Sequence, residues 1–129
     1  MMKRRKILLV EDHPLLRWVL ETTLKEEGHD VAVEKSSAAA IAHGTGEAFD
    51  VIITDLSMVP GVDGLEVFRR IKTVYPSTRF ILISAGADED ELEQARCLGF
   101  DCILEKPFPV EEIKAAIDAL SEPAALSPH

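Results

Sequence analysis

The feature that most constrains the fold of this chain is an alternation, repeated five times, of short apolar runs with longer stretches of helical spacing. The short runs predict strands at KILLVE (6–11), DVAVE (30–34), DVIIT (50–54), RFILIS (79–84) and DCILE (101–105). Strands that alternate with helices pair in parallel through helical crossovers. Runs that are apolar at successive residues, such as ILLV, are typical of strands covered on both faces. We therefore expect a doubly wound α/β sheet, whose strand order the pattern does not decide.

The intervening stretches predict helices, because their apolar residues lie three and four apart. The stripes are Leu15/Leu16–Val19/Leu20–Leu24, Leu65–Val67–Phe68–Ile71, Leu92–Ala95–Leu98 and Ile113–Ala116–Ile117–Leu120, with a short Ala-rich helix over 36–43 capped by Ser36 or Ser37. Trp18 lies one residue off the first stripe, and we expect it to be partly buried. Pro14 suits a first helical turn, and Tyr75-Pro76 ends the third helix. The glycines expected just beyond helix ends are Gly28, Gly44, Gly46 and Gly99.

Length and composition indicate one globular domain. The chain has 129 residues, of which 47% are hydrophobic, enough for a core. We expect the domain to span residues 5–120, with 121–129 as a tail or the start of a linker. No apolar run approaches the ~18 residues of a membrane span, and the first run is too short for a signal peptide, so we expect a cytoplasmic protein.

Net charge and cysteine spacing exclude some kinds of binding site. The formal net charge of −9 argues against nucleic-acid binding by the domain itself, which needs a cationic face. Cys97 and Cys102 match neither a zinc pattern nor a redox motif, so we expect buried thiols in a reducing compartment.

Polar residues collect where the predicted strands end. These ends carry Glu11-Asp12, Thr54-Asp55, Ser84-Ala85 and Glu105-Lys106-Pro107. Ligands of open α/β sheets bind outside the carboxyl ends of the strands, so these side chains should share one rim. Three carboxylates cannot lie close together and ionised without a counter-charge, and Mg²⁺ is a cation that carboxylates hold. With a lysine nearby, such a rim would stabilise phosphoryl oxygens, and a carboxylate there could form an acyl phosphate.

These residues carry a resemblance to a known family. The segments V10-E11-D12-H13-P14, T54-D55-L56-S57-M58, D63-G64, S84-A85 and K106-P107-F108, taken together, resemble the receiver domain of bacterial two-component response regulators. The resemblance covers residues 5 to about 120. It implies a flavodoxin-like (βα)5 fold with the parallel strand order 2-1-3-4-5, which decides what the pattern alone left open.

The resemblance also implies a metal and a phosphorylation site. By their match to the family pattern, Asp55 is the phosphorylated aspartate and also a Mg²⁺ ligand, and Asp12 ligates Mg²⁺ directly. Glu11 is the neighbouring acid, which often acts through water, and the main-chain carbonyl of Ser57 is the third protein ligand. Ser84 matches the switch hydroxyl and Lys106 the invariant lysine. The family has a cis peptide bond at the position of Lys106-Pro107.

Two departures from the family pattern put its details in question. An aromatic residue usually stands three positions before the lysine, where this chain has Ile103. That aromatic normally turns inward when the switch hydroxyl moves. The loop after Asp55 is one residue longer than usual because Val59 intervenes between Met58 and Pro60. We expect that slack to lie between Met58 and Val62, with the third helix still beginning at Asp63-Gly64.

The leading hypothesis is a phosphorelay receiver rather than an enzyme with an external substrate. A sensor histidine kinase or phosphotransfer protein would phosphorylate it. The surface formed by the fourth helix, fifth strand and fifth helix would then act on an effector domain or downstream protein, and a homodimer is compatible with this. The alternative is a receiver-like interaction domain independent of phosphorylation, which Ile103 alone favours. An aspartyl-phosphate phosphatase would want an acid at Ser57, and a flavin protein a phosphate loop after the first strand.

Overall fold

Five strands and five helices alternate along the chain in the computed structural model, which describes residues 4–57 and 64–120. In chain order the elements are β1 (Lys6–Val10), α1 (Pro14–Glu26), β2 (Asp30–Glu34), α2 (Ser37–Gly46), β3 (Val51–Asp55), α3 (Gly64–Val74), β4 (Arg79–Ser84), α4 (Glu89–Leu98), β5 (Cys102–Glu105) and α5 (Val110–Leu120). All ten elements were expected from the sequence, with strand bounds that shift by one residue at most.

The sheet is entirely parallel and has the strand order β2-β1-β3-β4-β5. The flavodoxin-like order that the resemblance implied is therefore confirmed. β3 occupies the centre and is buried along its whole length, whereas β2 and β5 are the edges. No helix within the described residues is long and apolar enough to cross a membrane.

Alternate strand residues face two separate hydrophobic layers. On one side Leu8, Ile52 and Phe80 pack with residues of α2, α3 and α4. On the other side Ile7 and Ile53 pack with residues of α1 and α5. Because both faces of the sheet are covered, the strands need apolar residues at successive positions.

Helix ends follow the local chemistry of the sequence. The Ser36 side chain accepts a hydrogen bond from the Ala39 amide and caps α2, and Asp88 forms a capping box with Glu91 at the start of α4. Pro14 lies in the first turn of α1, and Gly99 ends α4 with a φ of 110°. The cap at Ser36, the place of Pro14 and the glycine at the end of α4 were expected, whereas the capping box of Asp88 and Glu91 was not predicted.

Gly44 and Gly46 were expected beyond the end of α2, and this was wrong. Both lie inside the helix, which runs to Gly46. Gly44 is needed for packing instead, because a Cβ there would overlap the buried Ile71 side chain of α3. A glycine demanded by close helix packing cannot be told from a terminating glycine by sequence alone.

Four expected burials are also corrected. Leu15 and Trp18 are 65% and 62% exposed, because α1 turns only the Leu16–Leu20–Leu24 side of its stripe to the sheet. Cys97 is exposed on α4, where its thiol donates to Glu93, and Cys102 is only half-buried on the edge strand β5.

α3 begins against the end of β3. The Gly64 amide donates to the Leu56 carbonyl at 2.8 Å. A Cβ at Gly64 would overlap the carbonyl oxygen of Asp55. The expected start of the third helix at Asp63-Gly64 agrees with α3, whereas the expected slack around Val59 falls in residues 58–63, outside the described part of the chain.

Candidate functional site

Three carboxylates meet where β1 and β3 end. These neighbouring strands pair Val10 with Thr54, so the residues that follow, Glu11 and Asp55, come out side by side. Glu11, Asp12 and Asp55 each offer an oxygen, and these atoms all lie within 4.8 Å of one another. Glu11 is fully buried, Asp55 is 5% exposed and Asp12 is half-buried.

Lys106 supplies a positive charge to this cluster from the end of β5. Its Nζ lies 3.0 Å from Asp55 Oδ2 and 3.4 Å from Glu11 Oε1. Its backbone amide donates to the Ser84 carbonyl at 2.7 Å, which holds the loop after β5 against the end of β4. The Lys106-Pro107 peptide bond that follows is cis, as the resemblance implied.

The surroundings of Asp55 oppose its ionisation. Burial, followed by its contact with Glu11, raises the pKa of Asp55 from 3.8 to about 7, although Lys106 pulls in the other direction. Burial by itself would lower the pKa of Lys106, but its contacts with Asp55 and Glu11 raise that pKa overall. The cluster is thus short of positive charge.

The donor set fits a hard divalent cation. Glu11 Oε1 is fully buried and, within the described residues, accepts no hydrogen bond. A buried carboxylate oxygen in that position costs free energy unless a charge compensates it. Carboxylate oxygens at this spacing are ligands that suit Mg²⁺, which typically takes one or two of them and keeps several waters. The residues therefore suit the cation that was expected from the sequence.

The carboxylates open into a cleft of about 240 Å³. Lys106 and Ser57 lie on its wall, and the loop between β4 and α4 closes one side with the small residues Ala85, Gly86 and Ala87. Glu91, in the first turn of α4, also lines the cleft, although it was not among the predicted site residues. A volume of this size accommodates a phosphoryl group with its hydration.

Ser84 ends β4 at the same rim but lies behind the cleft. It is 1% exposed, and its Oγ has no hydrogen-bond partner among the residues that the structure describes. Ala85, the next residue, lines the cleft, whereas Ser84 is absent from the described lining. The structure thus brings the predicted hydroxyl to the rim, where it is buried beside the cleft.

Ile103 packs inward in place of the usual aromatic residue. It is half-buried against the hydrophobic layer that contains Phe80 and Phe100. It also lines a second cavity, of about 290 Å³, between α4 and β5. The departure noted in the sequence therefore coincides with an aliphatic side chain already in contact with the core.

Sequence reasoning missed Arg17 on α1. Its Nη1 donates to the carbonyl oxygens of Glu11 at 3.1 Å and Asp12 at 3.3 Å. The signal present in the sequence was a long basic side chain five residues after Asp12, early in the predicted first helix. His13 lies between Asp12 and Arg17 as the N-cap of α1, where its ring accepts from the Leu16 amide.

The family of the chain follows from comparison with known proteins. The model of the response regulator receiver domain matches residues 7–118. The chain belongs to the response regulator receiver domain family. Its function is accordingly that of a receiver in two-component signal transduction, as predicted from the sequence.

Individual relatives of this receiver domain support the same family assignment. It is 29% identical to the sporulation initiation phosphotransferase F of Bacillus subtilis, over 90% of this chain and 93% of that protein. It is 36% identical to the virulence sensor protein BvgS of Bordetella bronchiseptica, over 94% of this chain but only 10% of that protein. Among solved structures, the non-phosphorylated HemR receiver domain of Leptospira biflexa has a TM-score of 0.85 and 26% identity, covering 98% of this chain and 99% of that one.

Proposed function

We propose that this receiver domain accepts a phosphoryl group on Asp55, with Mg²⁺, from the phosphohistidine of a sensor histidine kinase or a phosphotransfer protein. One observation carries the proposal. A buried aspartate at the end of the central strand lies 3.0 Å from a lysine, and one of its oxygens lies within 4.8 Å of an oxygen of each of two further acids. Neither a folding role nor a surface ion pair requires that concentration of buried charge.

The chemistry would be a displacement at phosphorus. An oxygen of the Asp55 carboxylate forms a bond to phosphorus while the phosphorus–nitrogen bond of the donor breaks, and the donor imidazole leaves. Lys106 supplies positive charge to the transferred oxygens, and Glu11, Asp12, Asp55 and the main-chain carbonyl of Ser57 would hold the cation. When bound, Mg²⁺ would offset the carboxylate charge and stabilise the phosphoryl oxygens. Water later hydrolyses the acyl phosphate, so the chemistry stays confined to the domain itself.

The output would pass through the surface formed by α4, β5 and α5. We propose that Ser84 moves toward the phosphoryl group and repositions the β4–α4 loop, since its buried hydroxyl has no described partner to give up. Because Ile103 is aliphatic and already packed inward, an aromatic rotation cannot accompany this movement. The surface would then act on an effector domain, a downstream protein or a second copy of the chain, in the cytoplasm and without contacting nucleic acid.

Intact-mass measurement after incubation with Mg²⁺ and a small acyl phosphate tests the proposal. We expect one phosphate adduct on the native protein, and none on Asp55→Asn or when a chelator replaces Mg²⁺. Asp118→Asn is the matched control, because it makes the same change on the exposed face of α5 and should leave the adduct intact. An adduct on Asp55→Asn would move the site elsewhere. No adduct on the native protein with any donor would favour the phosphorylation-independent interaction domain.

A further inference from the structure

The backbone of the acidic loop, residues 11–13, is held by a single residue of α1. Arg17 Nη1 donates to the carbonyls of Glu11 and Asp12, and the Arg17 amide donates to the His13 carbonyl at 3.0 Å. Three consecutive carbonyl oxygens therefore accept hydrogen bonds from one residue. The amide bond is the ordinary first bond of a helix, but the two guanidinium bonds depend on the arginine side chain.

The side chains of the same loop are directed into the cleft by other contacts. Glu11 Oε2 accepts from the His13 amide at 3.1 Å, and Glu11 Oε1 faces Lys106. The Glu11 amide donates to the Glu34 carbonyl on β2. The guanidinium thus binds the main chain of the loop, whereas the contacts of the Glu11 side chain are made with other groups.

The electrostatics of the loop explain why such a clamp is useful. Ionised carboxylates at Glu11 and Asp12 repel each other and Asp55, so holding their oxygens within 4.8 Å of one another costs free energy when no cation is bound. A guanidinium stays charged at all relevant pH values and presents several donors in a fixed plane, so it offsets charge and fixes geometry together. Groups that orient metal ligands in this way typically change metal affinity by about 10- to 100-fold when they are removed.

From this arrangement we propose that Arg17 is a positioning residue of the Glu11/Asp12 loop, which preorganises the two carboxylates for the divalent cation. The inference rests on the proposed function, because it assigns a regulator of the same metal site. Arg17 is not proposed to contact the phosphoryl group. Its effect should appear in Mg²⁺ binding first, and in phosphorylation only through that binding.

Calorimetric Mg²⁺ titration of the native protein, Arg17→Gln and Arg17→Lys tests the proposal. We expect Arg17→Gln to raise the Mg²⁺ Kd at least about tenfold. Arg17→Lys retains the charge and part of the donor capacity, so its Mg²⁺ Kd should lie between that of the native protein and that of Arg17→Gln. Arg70→Gln is the matched control, because it removes the same charge from an exposed position on α3, where Arg70 pairs only loosely with Glu66 at 3.9 Å. Its Kd should equal that of the native protein.

A second readout separates positioning from a general loss of structure. At saturating Mg²⁺ the cation itself orders the carboxylates, so the phosphorylation rate of Arg17→Gln should return to near the native rate. A folded Arg17→Gln protein with a native Kd would overturn the inference while leaving the proposed function standing. If Arg17→Gln does not fold, a native Kd for Arg17→Lys with a native rate at low Mg²⁺ would overturn it. A native protein that binds no Mg²⁺ would overturn both.

Discussion

Asp55 is held in surroundings that work against its own charge. Burial and the neighbouring Glu11 both favour its protonated form, and Lys106 compensates only in part. A residue placed for packing alone would not be a carboxylate here, because an apolar side chain would avoid the desolvation of a charge. The buried carboxylate therefore lowers the stability of the metal-free protein, and it is kept because the proposed chemistry needs it.

Replacing Asp55 by Asn should stabilise the metal-free protein, because it removes that penalty. The pKa of Asp55 is higher in the folded protein than in the unfolded chain. The free energy of unfolding of the native protein therefore falls as pH rises from 3.8 to about 7. The gain from Asp55→Asn should be near zero at the acid end of this window and reach on the order of 2 kcal/mol above it. Urea denaturation in the presence of a chelator measures this difference.

Added Mg²⁺ provides the control for that measurement. It should stabilise the native protein more than Asp55→Asn, because the variant lacks one carboxylate ligand. A variant that is less stable than the native protein at neutral pH without metal would show that the Lys106 contact outweighs burial.

The residues of the site differed in how far the sequence could predict them. Glu11, Asp12, Asp55 and Lys106 were found because the carboxyl ends of parallel strands meet at one edge of a sheet. Arg17 was not, since its reach back to the loop depends on a rotamer and on backbone carbonyl directions that no spacing rule encodes. The roles of these residues stay predictions until phosphorylation is measured.

Among the elements, α2 depends most closely on its neighbour. It packs against α3 at Gly44, where the buried Ile71 leaves no room for a Cβ, whereas a Cβ at Gly46 would meet nothing within 4 Å. Two glycines of one helix are thus subject to opposite constraints. Helix propensity alone would favour alanine at both positions.

Alanine substitutions in α2 should therefore have opposite signs. Gly44→Ala should lower the free energy of unfolding by about 1–3 kcal/mol, because Ile71 or the helix must shift. Gly46→Ala should raise it by up to about 1 kcal/mol, because alanine restricts the unfolded chain more than glycine does. Thermal and urea denaturation of the two variants check this. Equal changes in the free energy of unfolding for the two variants would mean that Ile71 moves aside to make room for a Cβ at position 44.

Across the whole molecule, two histidines give stability opposite dependences on pH. Both ring nitrogens of His43 lie against carboxylates, at 2.9 Å from Glu34 and 2.7 Å from Glu47, which requires the doubly protonated ring. The hydrogen bond with Glu34, above all, raises the pKa of His43. Burial lowers the pKa of His29, whose ring accepts from the Arg5 amide.

Substitution of each histidine by glutamine should separate these contributions. The stabilisation from His43 is complete below its ordinary pKa of 6.5 and is lost as pH rises through the raised value, so His43→Gln should be most harmful in acid. His29 acts in reverse, because the unfolded chain takes up its proton first, so His29→Gln should gain on the native protein as pH falls below 6.5. Denaturation curves over a pH series measure both trends, and parallel trends would contradict the assignment.

At this scale the sequence predicted the class of fold but not every detail of its packing. Alternating strand and helix patterns were sufficient for a parallel, doubly wound sheet, whereas the strand order came from the family resemblance. The exposed Leu15 and Trp18 were missed because helical spacing does not show where a stripe leaves the sheet. Gly44 was misassigned because close helix packing and helix termination both select glycine.

Gly64, at the start of α3, is packed against the main chain of the site, and this limits which residues can replace it during evolution. The space that a side chain at this position would need is filled by the main chain of Asp55, which has no rotamer to change. Mutation at position 64 is therefore restricted by shape, although the residue takes no part in the chemistry. Among descendants of this sequence, a larger residue at position 64 should appear only where the end of β3 and the start of α3 have moved apart, and that movement would displace Asp55 as well.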